Sequence, residues 1–110
     1  MKRGDIVLAV ARRGNGKPRP AVVVQSDLFN STHASLIVCL LTSEIVETRL
    51  FRPTISPSPA NGLERVSQMM VDKLLALPRD QIREHIGTLD NETLSLLNRA
   101  LCLLLGLESV

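Results

Sequence analysis

A mainly β domain closed by one C-terminal amphipathic helix is the fold class this sequence predicts. Short apolar runs recur along the chain, each bounded by Gly, Pro, Asn or Ser, the pattern of strands and turns. Apolar residues spaced three and four apart are sustained only toward the C-terminus, the period of a helix with one buried face. The 110 residues, 45% of them hydrophobic, suit a single domain over residues 1–110 with one core.

Asp5 to Val10 (DIVLAV) is a compact apolar run after Gly4, and Arg12-Arg13-Gly14-Asn15-Gly16-Lys17 is a basic, glycine-rich loop. That loop leads into Pro18 and a strand, whereas Walker and dinucleotide-binding glycines open a helix, so neither motif fits. Ala21 to Gln25 is the next strand, Ser26 to Asn30 a turn or short helical piece, and Ser35 to Leu41 a third strand with buried character. Phe51 to Ile55 reads as an edge or a bulge, because Pro53 has no amide hydrogen for a central ladder.

The segment Ser56 to Gly62 is rich in turn residues, and Glu64 to Val71 follows as a strand closed by Asp72-Lys73. Pro78 to Ile82 reads as the first turn of a short helix, and Ile86 to Leu89 as a small last strand. Asp90 is the N-cap of the final helix, whose buried stripe is Leu94, Leu97, Leu101 and Leu104, with Gly106 as its C-cap. Leu96, Ala100, Leu103 and Leu105 widen that stripe beyond the roughly 100° a surface helix buries. A second copy covering it predicts a homodimer; a fully internal helix is the alternative.

The formal charge is only +2, but residues 1–19 hold six cations against one acid, which leaves the remaining 91 residues at −3. A basic end on a mildly acidic body suits a polyanion, although exposed solubilising charges give the same pattern. Cys39 and Cys102 lie inside apolar runs without redox or zinc spacing and read as buried, reduced packing residues. Neither His33 nor His85 has partners at a metal-ligand spacing, so no metal and no cofactor are expected. No run approaches the roughly 20 apolar residues of a membrane span, and Met1-Lys2-Arg3-Gly4-Asp5 lacks the apolar region of a secretion signal. The expected location is the cytoplasm.

The chemical clue is Arg19, set between Pro18 and Pro20 at the start of one apolar run, together with Thr42-Ser43 at the end of another. On adjacent strands, these residues would offer a permanent cation and two hydroxyls to an anionic ligand. The bland alternatives are a strand-edge cation paired with a carboxylate and a turn whose hydroxyls bond the backbone.

Arg3-Gly4-Asp5-Ile6-Val7, Arg19-Pro20-Ala21-Val22-Val23-Val24, Leu41-Thr42-Ser43, Pro57-Ser58-Pro59-Ala60-Asn61-Gly62-Leu63 and Met70-Val71-Asp72-Lys73 occur in this order. Ile86-Gly87-Thr88-Leu89-Asp90 and Leu97-Asn98-Arg99-Ala100-Leu101 follow. In order and spacing these segments resemble the MazF/PemK toxins over nearly the whole chain. The resemblance implies an SH3-like small barrel with an appended helix, forming a homodimer. It further implies a sequence-specific, ribosome-independent endoribonuclease that cuts single-stranded messenger RNA without a metal. A cognate antitoxin with an acidic tail would occupy the RNA groove, and operator DNA would be bound only through the toxin–antitoxin complex.

By that resemblance Arg19 and Thr42 match the catalytic arginine and threonine, with Ser43 beside them as a further hydroxyl donor. In such a reaction the 2'-hydroxyl attacks the adjacent phosphate, and fixed donors stabilise the charge that builds on its oxygens. Arg12, Arg13, Asn15 and Lys17 of the basic loop, with Asn61 and Gln68 nearby, are the expected RNA-binding residues, and Arg12, Arg13 or Phe51 the stacking surfaces. The loop lacks the Glu or His that several relatives carry there, so the general base is unassigned; His33 and Glu44 are the nearest titratable groups in sequence to the proposed strand ends. Two other classes compete: a CcdB-like poison of DNA gyrase, and a catalytically silent barrel serving as an adaptor. The C-terminal Leu107-Glu108-Ser109-Val110 offers no aromatic anchor for the first.

Overall fold

The computed structural model describes residues 1–10, 17–47 and 51–108. Six strands, β1 (Asp5–Ala9), β2 (Arg19–Val23), β3 (Ser35–Thr42), β4 (Thr54–Ile55), β5 (Ser67–Pro78) and β6 (Ile82–Thr88), form one antiparallel sheet in the order β4-β5-β3-β2-β1-β6. Register shifts within the β1–β6 and β3–β5 ladders help to curl it, since a bulge bends its strand and increases the local twist. The result is a half-barrel of the SH3-like kind expected. A short helix, α1 (Asp27–Asn30), follows β2, and α2 (Asn91–Leu105) closes the chain.

Ala21, Val22 and Val23 are all buried, because β2 lies between β1 and β3 and both of its faces are covered. On one side Val22 joins Ile6, Cys39, Leu41, Met69 and Val71 against Leu97 and Ala100 of α2. On the other, Ala21 and Val23 pack with Val7, Leu36, Val38 and Leu77. Aliphatic side chains supply both clusters, joined in the first by Cys39 and Met69.

Five sequence expectations change. β5 does not close at Asp72-Lys73 but runs to Pro78, because β3 pairs with it along its full length, Ser35 with Pro78 at one end and Thr42 with Gln68 at the other. Its start moves from Glu64 to Ser67, where pairing with Ile55 begins. The expected helical turn after Pro78 is one 3-10 turn, Arg79–Gln81, and the last strand is seven residues long because β1 pairs with it throughout. Cys39 is fully buried as expected, but Cys102 is only half-buried.

The helix caps follow the sequence. Asp90 accepts a hydrogen bond from the Thr93 amide at 2.7 Å. At the other end Gly106 takes φ +70° and the Leu107 amide reaches back to the Cys102 carbonyl at 2.9 Å, a left-handed cap that glycine adopts without steric cost. Leu97 and Ala100 are buried and Leu94 and Leu101 half-buried, whereas Leu104 is 40% exposed and Leu96 and Leu103 are 42% and 57% exposed. No helix among the described residues is long and apolar enough to cross a membrane.

Candidate active site

β2 meets β3 through the pairs Ala21–Leu40, Val22–Cys39 and Val23–Val38. Continuing that register past Ala21 sets Arg19, the first residue of β2, level with Thr42, the last of β3. The two prolines around Arg19 are tolerated here because Pro20 sits at the splayed end of the strand, before the ladder to β3 begins. Arg19, Thr42 and Ser43 line a single cleft of about 450 Å³, walled by Leu8, Pro20, Leu41, Leu63 and Ile86 and completed by Gly62, Glu64, Arg65 and Ser67. Two arginines, one glutamate and three hydroxyl residues thus line the cleft among apolar neighbours.

Thr42 is used in a turn, and the turn leaves its chemistry intact. Its Oγ1 accepts a hydrogen bond from the Glu44 amide at 3.1 Å. A hydroxyl has one donor and two acceptor positions, so this bond orients the oxygen and leaves the proton to donate. The loop beyond is braced by Gln68, whose Oε1 accepts from the Val46 amide at 3.0 Å while its Nε2 donates to the Val46 carbonyl at 2.8 Å. Gln68 is only 4% exposed and is fully engaged by that two-point grip. It braces the loop beyond Ser43 and lines a separate cavity, between Arg52–Thr54 and α2, rather than this cleft.

Asn61 likewise does not line the cleft. It is 5% exposed, with Oδ1 accepting from the Ser58 and Leu63 amides and Nδ2 donating to the Ser56 carbonyl. The side chain ties the turn that delivers Gly62 to Arg65 to the cleft. Of the other expected RNA contacts, Lys17 is exposed two residues before Arg19, and Arg12, Arg13 and Asn15 lie outside the described residues. Phe51 is half-buried and does not line the cleft.

Glu64 and Arg65 are cleft residues the sequence reading missed. Taken as the start of a strand, they would alternate between its faces; they belong instead to the loop before β5, where the Ser67 hydroxyl donates to the Arg65 carbonyl at 3.0 Å. The opposite charges directly after the turn-rich segment were the available signal. A second cavity of about 460 Å³ lies between Arg52–Thr54 and α2, but Arg52 there is committed to Asp72 through Nε–Oδ1 and Nη2–Oδ2 contacts of 2.9 and 3.0 Å. Hydrogen bonding from Arg52 holds the Asp72 carboxyl below its ordinary pKa. Among the described residues no three His, Cys, Asp or Glu side chains gather as metal ligands.

The PemK-like, MazF-like toxins of type II toxin–antitoxin systems match the chain over residues 2–105. The chain belongs to that family. A probable endoribonuclease MazF of Mycolicibacterium smegmatis is 40% identical over 108 residues, covering 97% of this chain and 98% of the relative. The Bacillus subtilis endoribonuclease EndoA is 27% identical over 97% of this chain and 96% of its own. Among solved structures, a mycobacterial endoribonuclease in complex with its cognate antitoxin superposes with a TM-score of 0.81 at 22% identity, covering 100% of this chain and 99% of that one. That superposition supports the half-barrel and C-terminal helix of a MazF-like toxin.

Proposed function

We propose that this MazF-like toxin is an endoribonuclease that cuts single-stranded RNA in the Arg19–Thr42 cleft by internal attack of the 2'-hydroxyl. The supporting observation is the convergence of Arg19, Thr42 and Ser43 on one cleft, from strand ends 23 positions apart in sequence. The names of the relatives support the reaction class.

The chemistry follows from the residue types. As the 2'-oxygen attacks, negative charge grows on the non-bridging phosphate oxygens, and donors already in place stabilise it without reorganisation. A guanidinium offers a planar two-point grip and stays protonated, so Arg19 acts as a charge stabiliser rather than an acid. Thr42 donates the proton its turn leaves available, and Ser43 adds a second hydroxyl. These donors make a metal unnecessary for charge stabilisation.

RNA approaches along the basic loop, with Arg12, Arg13, Asn15 and Lys17 contacting phosphates and bases. A cognate antitoxin, supported by the complex known for the mycobacterial structural relative, competes for the same positive surface with an acidic segment. The exposed Leu96 and Leu103 of α2 pack against a second copy, and the toxin works in the cytoplasm, where its substrate is.

Incubation of a long RNA with the protein in excess EDTA tests the reading. Discrete cuts that disappear with Arg19→Ala and with Thr42→Val are expected; intact RNA, or cutting that needs added metal, would contradict it.

A further inference from the structure

We infer that Glu64 is the proton acceptor of this cleft, the group that takes the proton from the attacking 2'-hydroxyl. The inference rests on the RNA-cleavage reading of the same site. Among the described residues lining the cleft, the ionisable side chains are Arg19, Arg65 and Glu64. A guanidinium has no acceptor lone pair and keeps its proton. The hydroxyls of Thr42, Ser43 and Ser67 are oxygen donors and acceptors that do not hold an extra proton near neutral pH. Glu64 is the lining side chain left to receive one.

The two groups nearest in sequence are less well placed. His33 precedes β3 and its ring packs edge-on against Phe29, with ring centroids 6.3 Å apart, whereas Thr42 ends the same eight-residue strand. At the usual rise of a strand that is roughly 25 Å away. Glu44 gives its amide to Thr42, but its exposed side chain is not among those lining the cleft.

Glu64 follows a rigid piece of backbone. Gly62 has φ +67°, and a Cβ there would stand 2.1 Å from the Ile86 carbonyl oxygen; one on Gly87 would stand 2.3 Å from the Asn61 carbonyl. The turn therefore sits flush on the β6 backbone, where the Thr88 amide also donates to the Ala60 carbonyl at 2.9 Å. Leu63 is buried in the core beside it. One residue further on, Glu64 is exposed and lines the cleft. A carboxylate held there repels a phosphate, a cost that catalysis would justify.

In the step proposed, the 2'-hydroxyl proton moves to a carboxylate oxygen of Glu64 while the 2'-oxygen forms a bond to phosphorus. The bond from phosphorus to the 5'-oxygen breaks, its electron pair stays on that oxygen, and the oxygen takes a proton from solvent water. A 2',3'-cyclic phosphate and a 5'-hydroxyl result, and Glu64 returns its proton to solvent. Arg19 from β2 and Arg65 from the loop of Glu64 are the other charged groups that line the cleft.

The test compares single-turnover cleavage by wild type, Glu64→Gln and Glu64→Asp across pH, with the Kd for an RNA carrying a 2'-deoxy sugar at the cut. Glu64→Gln is expected to lower the rate roughly 10²–10⁴-fold, to bind the deoxy RNA no more weakly, and to lose the acid limb of the pH profile. Glu64→Asp should retain that limb at a reduced rate. An active wild type whose Gln variant keeps the rate or the acid limb, or loses only affinity, would overturn the assignment alone. A wild type inert toward RNA would overturn the cleavage reading, and this assignment with it.

Discussion

Arg19, the first residue of β2, and Thr42, the last of β3, line the same cleft from the ends of two neighbouring antiparallel strands. Because both line that cleft, a long guanidinium and a short hydroxyl can meet on one phosphate there. The β2–β3 ladder ends at Ala21–Leu40, so the sheet brings the two strand ends together and the side chains cover the last step.

Removing either amide brace should loosen the cleft before it affects chemistry. Gln68→Ala strands the Val46 amide and carbonyl, and Asn61→Ala strands two amides and a carbonyl of the 56–63 turn. Each is expected to cost about 1–3 kcal/mol of stability, read as a lower urea midpoint. Wild-type stability with weakened RNA binding would instead mean that these side chains touch the substrate.

Stability should carry an acidic dependence from the Arg52–Asp72 pair. Asp72 has its pKa lowered in the folded chain, mainly by hydrogen bonding from Arg52, so the unfolded chain binds the more protons in the window between the two values. The pair's contribution is present above the unfolded pKa and is lost as pH falls through the folded one. Wild type and Asp72→Asn should therefore differ most near neutrality and converge in strong acid, as followed by urea unfolding at stepped pH. A difference that grows on acidification would refute the pairing.

The open face of α2 should govern assembly. Leu96 and Leu103, two turns apart and 42% and 57% exposed, are an apolar surface of the kind a symmetric partner covers. A Leu96→Lys, Leu103→Lys variant is expected to run as a monomer by light scattering where wild type runs as a dimer. Equal masses for the two proteins would place the interface elsewhere.

Cys39 should be silent toward alkylation in the native protein. Burial, with a lesser contribution from Asp72, pushes its thiol up to about 12, and the reactive species is the thiolate. Iodoacetamide at neutral pH is expected to leave Cys39 unmodified until denaturant is added, as read by peptide mass spectrometry. Native labelling at Cys39 would show that the sheet opens there.

Strand identity and the grouping of Arg19, Thr42 and Ser43 in one cleft were legible where local chemistry decides them. The buried runs in β2 and β3, the Asp90 and Gly106 caps and the Arg19/Thr42–Ser43 pairing needed only sequence. The extent of β5 was not legible, because Asp72 and Lys73 look like a terminus until β3 is seen to pair past them. Asn61 and Gln68 were polar residues near a site, and only burial reveals that their amides serve the backbone. Glu64 was misread because the boundary between loop and strand depends on where β4 pairs, a tertiary fact.

The central claim is that Arg19 and Thr42 act on one phosphate as a unit, and a double-mutant cycle on the cleavage rate in EDTA tests it most directly. Each of Arg19→Ala and Thr42→Val should lower kcat roughly 10²–10³-fold, and the double variant should lose far less than the product of the two, since groups acting together fail together. Losses that simply multiply, or a single variant that cleaves as wild type does, would contradict it.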